Sequence, residues 1–184
     1  MQKIGKFVVV AAAALSLAAC GQDAKTETAA PAGPAVPSSN AAPATQSKGR
    51  ECTADDIKTT GKFGEKPEIT VPDDCDPPKK LITKDLSEGT GPAAADGAKL
   101  AMNYTVVTWS NKAKLDSSFD RGEPFELNLG AGEVIKGWDQ GLVGVKKGGR
   151  RLMIIPPDLA YGQGRQGIAP NETLVFVTDA LSVS

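Results

Sequence analysis

Strand-period alternation around a single short amphipathic helix is the feature that most constrains this chain. Leu100, Met102, Tyr104 and Val106 alternate with Ala101, Asn103, Thr105 and Val107, the period of a half-buried strand. Phe125-Glu126-Leu127-Asn128-Leu129 alternates in the same way, and Leu81–Leu86, Arg150–Ile155 and Thr173–Leu181 are further β-rich runs. Between them, Ile135, Trp138 and Leu142 fall on one helical face. Glu133 is placed to open that helix, Lys146 and Lys147 to close it, and Gly148 to cap it. One short helix among several strands predicts an α+β domain: a curved antiparallel sheet of five or six strands wrapped around the helix, over residues 79–184.

The N-terminal half reads differently. Residues 1–20 have the form of a signal peptide: Lys3 and Lys6 are basic, and Phe7–Ala19 is an apolar run too short for a permanent membrane span. The run ends in Leu17-Ala18-Ala19-Cys20-Gly21. That resembles a bacterial lipobox, whose cysteine is lipidated and becomes the mature N-terminus; an ordinary secretory signal with an incidental cysteine is the alternative. Residues 21–50 are rich in Ala, Pro, Ser, Thr and Gln and lack apolar periodicity. Burial cannot offset the ordering entropy of such a segment, so a disordered tether is expected, lifting the domain off a membrane surface. Residues 51–78 hold one strand-like piece, Ile69-Thr70-Val71, and a turn at Gly61–Gly64. That is too little for a separate core, so the segment is expected to pack on the main domain as an extension.

Three cysteines are present. With Cys20 assigned to lipid, Cys52 and Cys75 remain, and export would carry them to an oxidising compartment where a pair reads as a disulfide. Closing that loop contributes about 3 kcal/mol in the chain-entropy model. Two unpaired thiols are the alternative. The expected location is extracytoplasmic, anchored to the plasma membrane as a lipoprotein.

Composition narrows the chemistry. The chain has no histidine, which removes Ser-His and Cys-His nucleophiles, imidazole metal ligands and histidine acid/base catalysis. With 22 acidic and 21 basic residues among 184, there is no electrostatic footprint for nucleic acid. Gly162-Gln163-Gly164-Arg165-Gln166-Gly167 fits G-x-G-x-x-G, but a proline and then a strand follow it, where a dinucleotide site needs a helix. Asp73, Asp74 and Asp76 lack the spacing of a calcium loop and read as a solvated acidic turn. Lys146, Lys147, Arg150 and Arg151 read as a basic patch at a solvated turn, with contact to anionic lipid as the minor reading.

From about Leu81 to Leu181, a little over half the chain, the sequence resembles the FKBP-type peptidyl-prolyl cis/trans isomerases, the tacrolimus-binding immunophilins. The resemblance rests on ordered motifs: Asn103-Tyr104-Thr105, Leu115-Asp116-Ser117-Ser118, Pro124-Phe125 and Val134-Ile135-Lys136-Gly137-Trp138. Ala160-Tyr161-Gly162, Gly167-Ile168-Ala169-Pro170 and Leu174-Val175-Phe176 follow. Each is weak alone; their order and spacing carry the assignment.

The resemblance implies an apolar pocket. Trp138 would be its floor, Tyr104, Phe125 and Phe176 its walls, and Val134 and Ile135 its rim. The Ile135 amide and the Tyr161 hydroxyl would donate to the peptide, Asp116 would face the twisting amide, and Ile168 would close the loop side. Asp116, Tyr161, Tyr104, Trp138 and Phe176 are the expected catalytic set. Two positions depart from the family pattern. Leu115 stands where an aromatic is usual, which implies weaker macrolide binding and a shifted preference for the residue before proline. Ala169 is smaller than the usual aliphatic, which implies a looser loop wall. The implied function is X-Pro isomerisation in exported proteins, without a cofactor or metal. The implied partners are proline-containing polypeptides and macrolides such as tacrolimus or rapamycin, and nothing calls for more than a monomer. A proline-peptide binding module or holdase with little turnover is the rival reading. A third reading makes the domain only a spacer on a lipid anchor.

Overall fold

The computed structural model describes residues 47–184. The expected signal peptide, Cys20 and most of the expected tether lie outside the described residues. The elements run in the order β1 (Lys58–Thr59), β2 (Ile69–Thr70), β3 (Ile82–Ser87), β4 (Thr90–Ala93), β5 (Lys99–Thr108) and β6 (Lys114–Ser117). There follow α1 (Ser118–Arg121), β7 (Phe125–Asn128), α2 (Lys136–Gly141), β8 (Lys146–Lys147), β9 (Arg150–Ile155), a 3-10 turn at Pro157–Leu159, and β10 (Leu174–Val183).

The main sheet has six strands in the order β3-β9-β10-β5-β6, with β7 also paired to β5, and every pairing is antiparallel. The ten-residue β5 serves two partners end to end: Thr105 opposes Ser117 of β6, and Met102 opposes Phe125 of β7. Between β6 and β7 the chain makes the one-turn α1, a second helix beyond the one expected. Gly122 ends α1 at φ 73°, a left-handed conformation that glycine adopts without a Cβ clash.

Both faces of the sheet are covered. On one side Met102, Val106, Met153, Ile155, Leu174 and Phe176 pack with Trp138 and Leu142. On the other, Val107, Trp109, Leu152, Ile154, Val175 and Val177 pack with Cys52, Ile57, Val71 and Cys75 of the extension. This explains why β9 is buried at all six positions: alternate side chains enter opposite cores. Cys52 and Cys75 form a disulfide with their Cα atoms 5.2 Å apart.

A buried ion pair ties the extension down. Arg150 Nε donates to Asp179 at 2.5 Å, with the two side chains only 3% and 1% exposed. The same guanidinium donates to the carbonyls of Gly61 and Glu65 at 2.7 and 2.6 Å, and the Gly64 amide donates to Asp179 at 2.7 Å. Arg151 is also buried, donating to Asp85 at 2.6 Å and to the Gly141 and Val143 carbonyls at 2.8 Å each. The anticipated basic patch therefore reduces to Lys146 and Lys147, because both arginines point into neutralising partners rather than water. Arg151 holds the C-terminal end of α2, where free carbonyls favour a cation.

Two further expectations change. The helix spans six residues, and Glu133 stands outside it, accepting hydrogen bonds from Asn128 N and Nδ2 at 3.0 and 2.9 Å. Gly144 lies at φ 83° and donates to Ala94 O at 2.8 Å, so the chain leaves the helix before the lysines. Lys146–Lys147 instead pair with β4, and Gly148 turns β8 into β9. The tether boundary expected at residue 50 also falls inside ordered chain. Ser47 Oγ and Lys48 N donate to Asp76 at 2.5 and 2.9 Å, and Asp76 N donates to Arg50 O at 2.8 Å. Asp74 pairs with Arg50 at 3.2 Å and Asp73 with Lys112 at 3.0 Å, and with side chains 73% and 89% exposed they form the solvated acidic turn that was expected.

Candidate active site

The geometry of α2 sets the floor of the site. Gly137 lets the helix lie directly on β9, because a Cβ there would meet Ile155 Cγ2 at 2.3 Å. Trp138, the next residue, is 4% exposed and presents its indole to aromatics from three strands. Its ring centroid lies 5.4 Å from that of Tyr104, 5.8 Å from Phe125 and 5.5 Å from Phe176, all edge-to-face. That arrangement suits the ring quadrupoles and holds the cluster rigid. Phe125 is 38% exposed, so it is a wall open to solvent rather than sheet core.

These rings line a cavity of about 330 Å³, closed by Val134, Ile135, Tyr161, Glu133 and Arg165. A second cavity of about 250 Å³ adjoins it, with Leu115, Asp116 and Ile168 in its lining. Tyr104, Tyr161, Arg165 and Phe176 border both. The ten expected binding residues are therefore gathered at one place, divided between two connected compartments. Ala169 is exposed and lines neither, so the loop wall is made by Ile168.

The polar groups are few and oriented. The Tyr104 hydroxyl donates to Asp116 Oδ2, while Asp116 Oδ1 accepts from the Ser117 amide at 2.7 Å and from Arg121. Arg121 Nη2 also donates to the Tyr104 hydroxyl at 3.0 Å, and its guanidinium lies 5.6 Å from the centre of the Tyr104 ring. Burial by itself would raise the Asp116 carboxyl; the Tyr104 hydroxyl, the Ser117 amide and the Arg121 charge outweigh it and hold the pKa below the ordinary value. Burial, then the hydrogen bond to Asp116, pushes the Tyr104 phenol up. Asp116 is thus a fixed carboxylate and Tyr104 a fixed phenol. The Ile135 amide, at the start of α2, and the Tyr161 hydroxyl donate to no protein acceptor among the described residues.

Arg121, Arg165 and Glu133 were not foreseen. Arg121 carries a weak signal, an opposite charge five residues after Asp116 across what proves to be a single helical turn. Arg165 sits in an aperiodic glycine loop and carries none. The arrangement offers an apolar, aromatic compartment with hydrogen-bond donors at its edge and no nucleophile–base pair.

Comparison with known proteins agrees with this geometry. The family model described as FKBP-type peptidyl-prolyl cis-trans isomerase matches residues 91–180. An FK506-binding protein of Streptomyces anulatus is 48% identical over 122 residues, covering 65% of this chain and 98% of the relative. An FK506-binding protein of Neisseria meningitidis serogroup B is 44% identical over 106 residues, covering 56% and 95%. Among solved structures, AtFKBP13 superposes with a TM-score of 0.52 at 36% identity, covering 56% of this chain and 93% of its own. FkpA from Escherichia coli does so at 0.52 and 41%, covering 56% and 48%. An aromatic compartment on an antiparallel sheet, the ordered motifs that build it and these relatives lead to one assignment: the chain belongs to the FKBP-type peptidyl-prolyl cis-trans isomerase family.

Proposed function

We propose that the chain isomerises X-Pro bonds of exported proteins in the Trp138 compartment, and does so at the outer face of the plasma membrane from a lipid on Cys20. The chemistry asks for little more than shape. Amide resonance sets a barrier of about 18–20 kcal/mol to rotation, and no nucleophile or metal is needed to lower it. At the twisted transition state resonance is lost, and with it much of the charge separation of the planar amide. An apolar cavity therefore binds the twisted form better than the planar one, which is the differential binding that accelerates a reaction.

The proline ring rests on Trp138 between Tyr104, Phe125 and Phe176. The Ile135 amide and the Tyr161 hydroxyl donate to substrate carbonyls, and the Asp116 carboxylate faces the rotating amide from the adjoining compartment. The observation that carries this reading is the edge-to-face ring cluster around an open cavity, with two donors left without protein acceptors at its edge. Support for the location is the signal-like run ending at Cys20 and the extension bearing a disulfide. FK506 would occupy the same compartment, as the names of the relatives suggest, and rapamycin is proposed to do so as a related macrolide.

The test is a prolyl isomerisation assay on proline tetrapeptides, with Asp116→Ala and Tyr161→Phe alongside. Acceleration is expected, reduced about tenfold or more by Asp116→Ala, the loss typical of removing a charged hydrogen-bond partner. A folded wild-type protein that binds the peptides without accelerating them would establish the binding-module reading instead. Radiolabelled palmitate retained by the wild type and lost in Cys20→Ser tests the anchor; equal labelling of both would remove it.

A further inference from the structure

We propose that Arg165 is a specificity-determining residue that selects a carboxylate side chain, glutamate or aspartate, immediately before the proline. The proposal rests on the Trp138 compartment being the proline site. Three charged side chains line the two compartments: Glu133, Asp116 and Arg165. Glu133 is engaged by Asn128, and Asp116 is neutralised by its ion pair with Arg121. Arg165 has no ion pair among the described residues, and its guanidinium donates to no protein acceptor there. It lies instead 4.7 Å from the centre of the Tyr161 ring, which leaves the edge N–H groups free for a planar anion.

Its position is built rather than incidental. Arg165 N donates to Ile168 O at 3.0 Å and Ile168 N returns a bond to Arg165 O at 2.8 Å, closing a tight turn over Gln166 and Gly167. Gly167 lies at φ 82°, where a side chain is strained. Gly164 lies at φ 84°, and a Cβ there would meet Ile168 O at 2.6 Å and Pro170 N at 2.8 Å. The glycines that imitate a nucleotide motif are thus the means of presenting Arg165 against Tyr161. Trp138 belongs to the first compartment alone and Leu115 to the second alone, while Arg165 borders both. With the ring over Trp138, the preceding residue enters the second compartment beside Arg165, and Leu115 leaves it room.

Tetrapeptides carrying Glu, Gln or Leu before proline test this with the full chain in detergent. The readout is the ratio of kcat/KM for Glu over Gln, so a general loss from disturbing the loop cancels. The ratio is expected to fall about three- to fivefold in Arg165→Gln, the scale of an exposed ion pair, with Arg165→Lys between. In about 1 M salt, where the Debye length is about 3 Å, the wild-type ratio should approach that of Arg165→Gln. An unchanged ratio in Arg165→Gln, with the wild type active, overturns this inference alone. Failure of the wild type to accelerate even the Leu peptide overturns both it and the site reading beneath it.

Discussion

Replacing Gly137 with alanine asks whether the floor of the site is seated by direct contact between α2 and β9. The new Cβ would lie 2.3 Å from Ile155 Cγ2, 2.8 Å from its Cδ1 and 3.1 Å from its Cγ1. Ile155 is 0% exposed, and close-packed interiors resist the displacement that relieving this contact would need. Gly137 has helical backbone, so alanine brings a propensity gain of about 1 kcal/mol. Overpacking this severe costs about 3 kcal/mol. The expected net loss is about 2 kcal/mol, read as a Tm lowered by roughly 4–8 °C for a domain of this size. Trp138 is the adjacent residue, so isomerisation should fall even below the melting transition. Urea unfolding and the peptide assay on one preparation measure both effects. Ile155→Ala alone should cost about 2–5 kcal/mol, and combined with Gly137→Ala it should cost clearly less than the two changes added. A Gly137→Ala protein as stable as wild type or more so would refute the reasoning, since helix propensity would then outweigh a contact that does not exist.

Other outcomes follow from named contacts. Arg150→Met leaves the Asp179 carboxylate buried without its partner, and a loss of about 3–5 kcal/mol is expected by urea unfolding, with new protease cleavage in Gly61–Lys66. Resistance of that loop to cleavage would contradict its attachment to the ion pair. Leu115→Phe restores a ring facing the second compartment, and calorimetry with FK506 should show affinity gained by about three- to tenfold; no gain would make Leu115 irrelevant to ligand binding. The pH–rate profile should be flat from about pH 8 to pH 5, because the chain has no histidine to titrate there. The folded Asp116 carboxyl ionises below its unfolded value. Its contribution to stability is therefore complete above the ordinary carboxylate range and is lost only as pH falls through the lowered folded value. A kinetic inflection near neutrality would contradict this assignment of the polar groups.

Much of this was legible in the sequence because it depends on local periods. The alternation from Leu100 to Val106 placed β5, and the β-rich run Arg150–Ile155 placed β9, though not its burial on both faces. The aromatic compartment was legible only through ordered motifs, since Tyr104, Phe125 and Phe176 each read equally well as sheet core. What stayed hidden depends on the tertiary fold. Lys146 and Lys147 looked like a helix end until β4 claimed them as a partner strand. Arg150 and Arg151 looked solvated because Asp179 and Asp85 stand far away in sequence. Arg165 lies in a loop whose conformation is set by backbone bonds and glycines, where no periodicity exists to be read.

The two tryptophans allow the central claim to be tested directly, because they report on opposite faces of the sheet. Trp138 floors the proposed site, while Trp109 is packed in the core beneath the extension and borders neither compartment. Fluorescence titration of a Trp109→Phe protein with a proline tetrapeptide isolates the signal of Trp138. A saturable change in Trp138 emission is expected there, with competition by FK506. A silent Trp109→Phe protein, with the change appearing instead in Trp138→Phe through Trp109, would place substrate on the extension side and contradict the account.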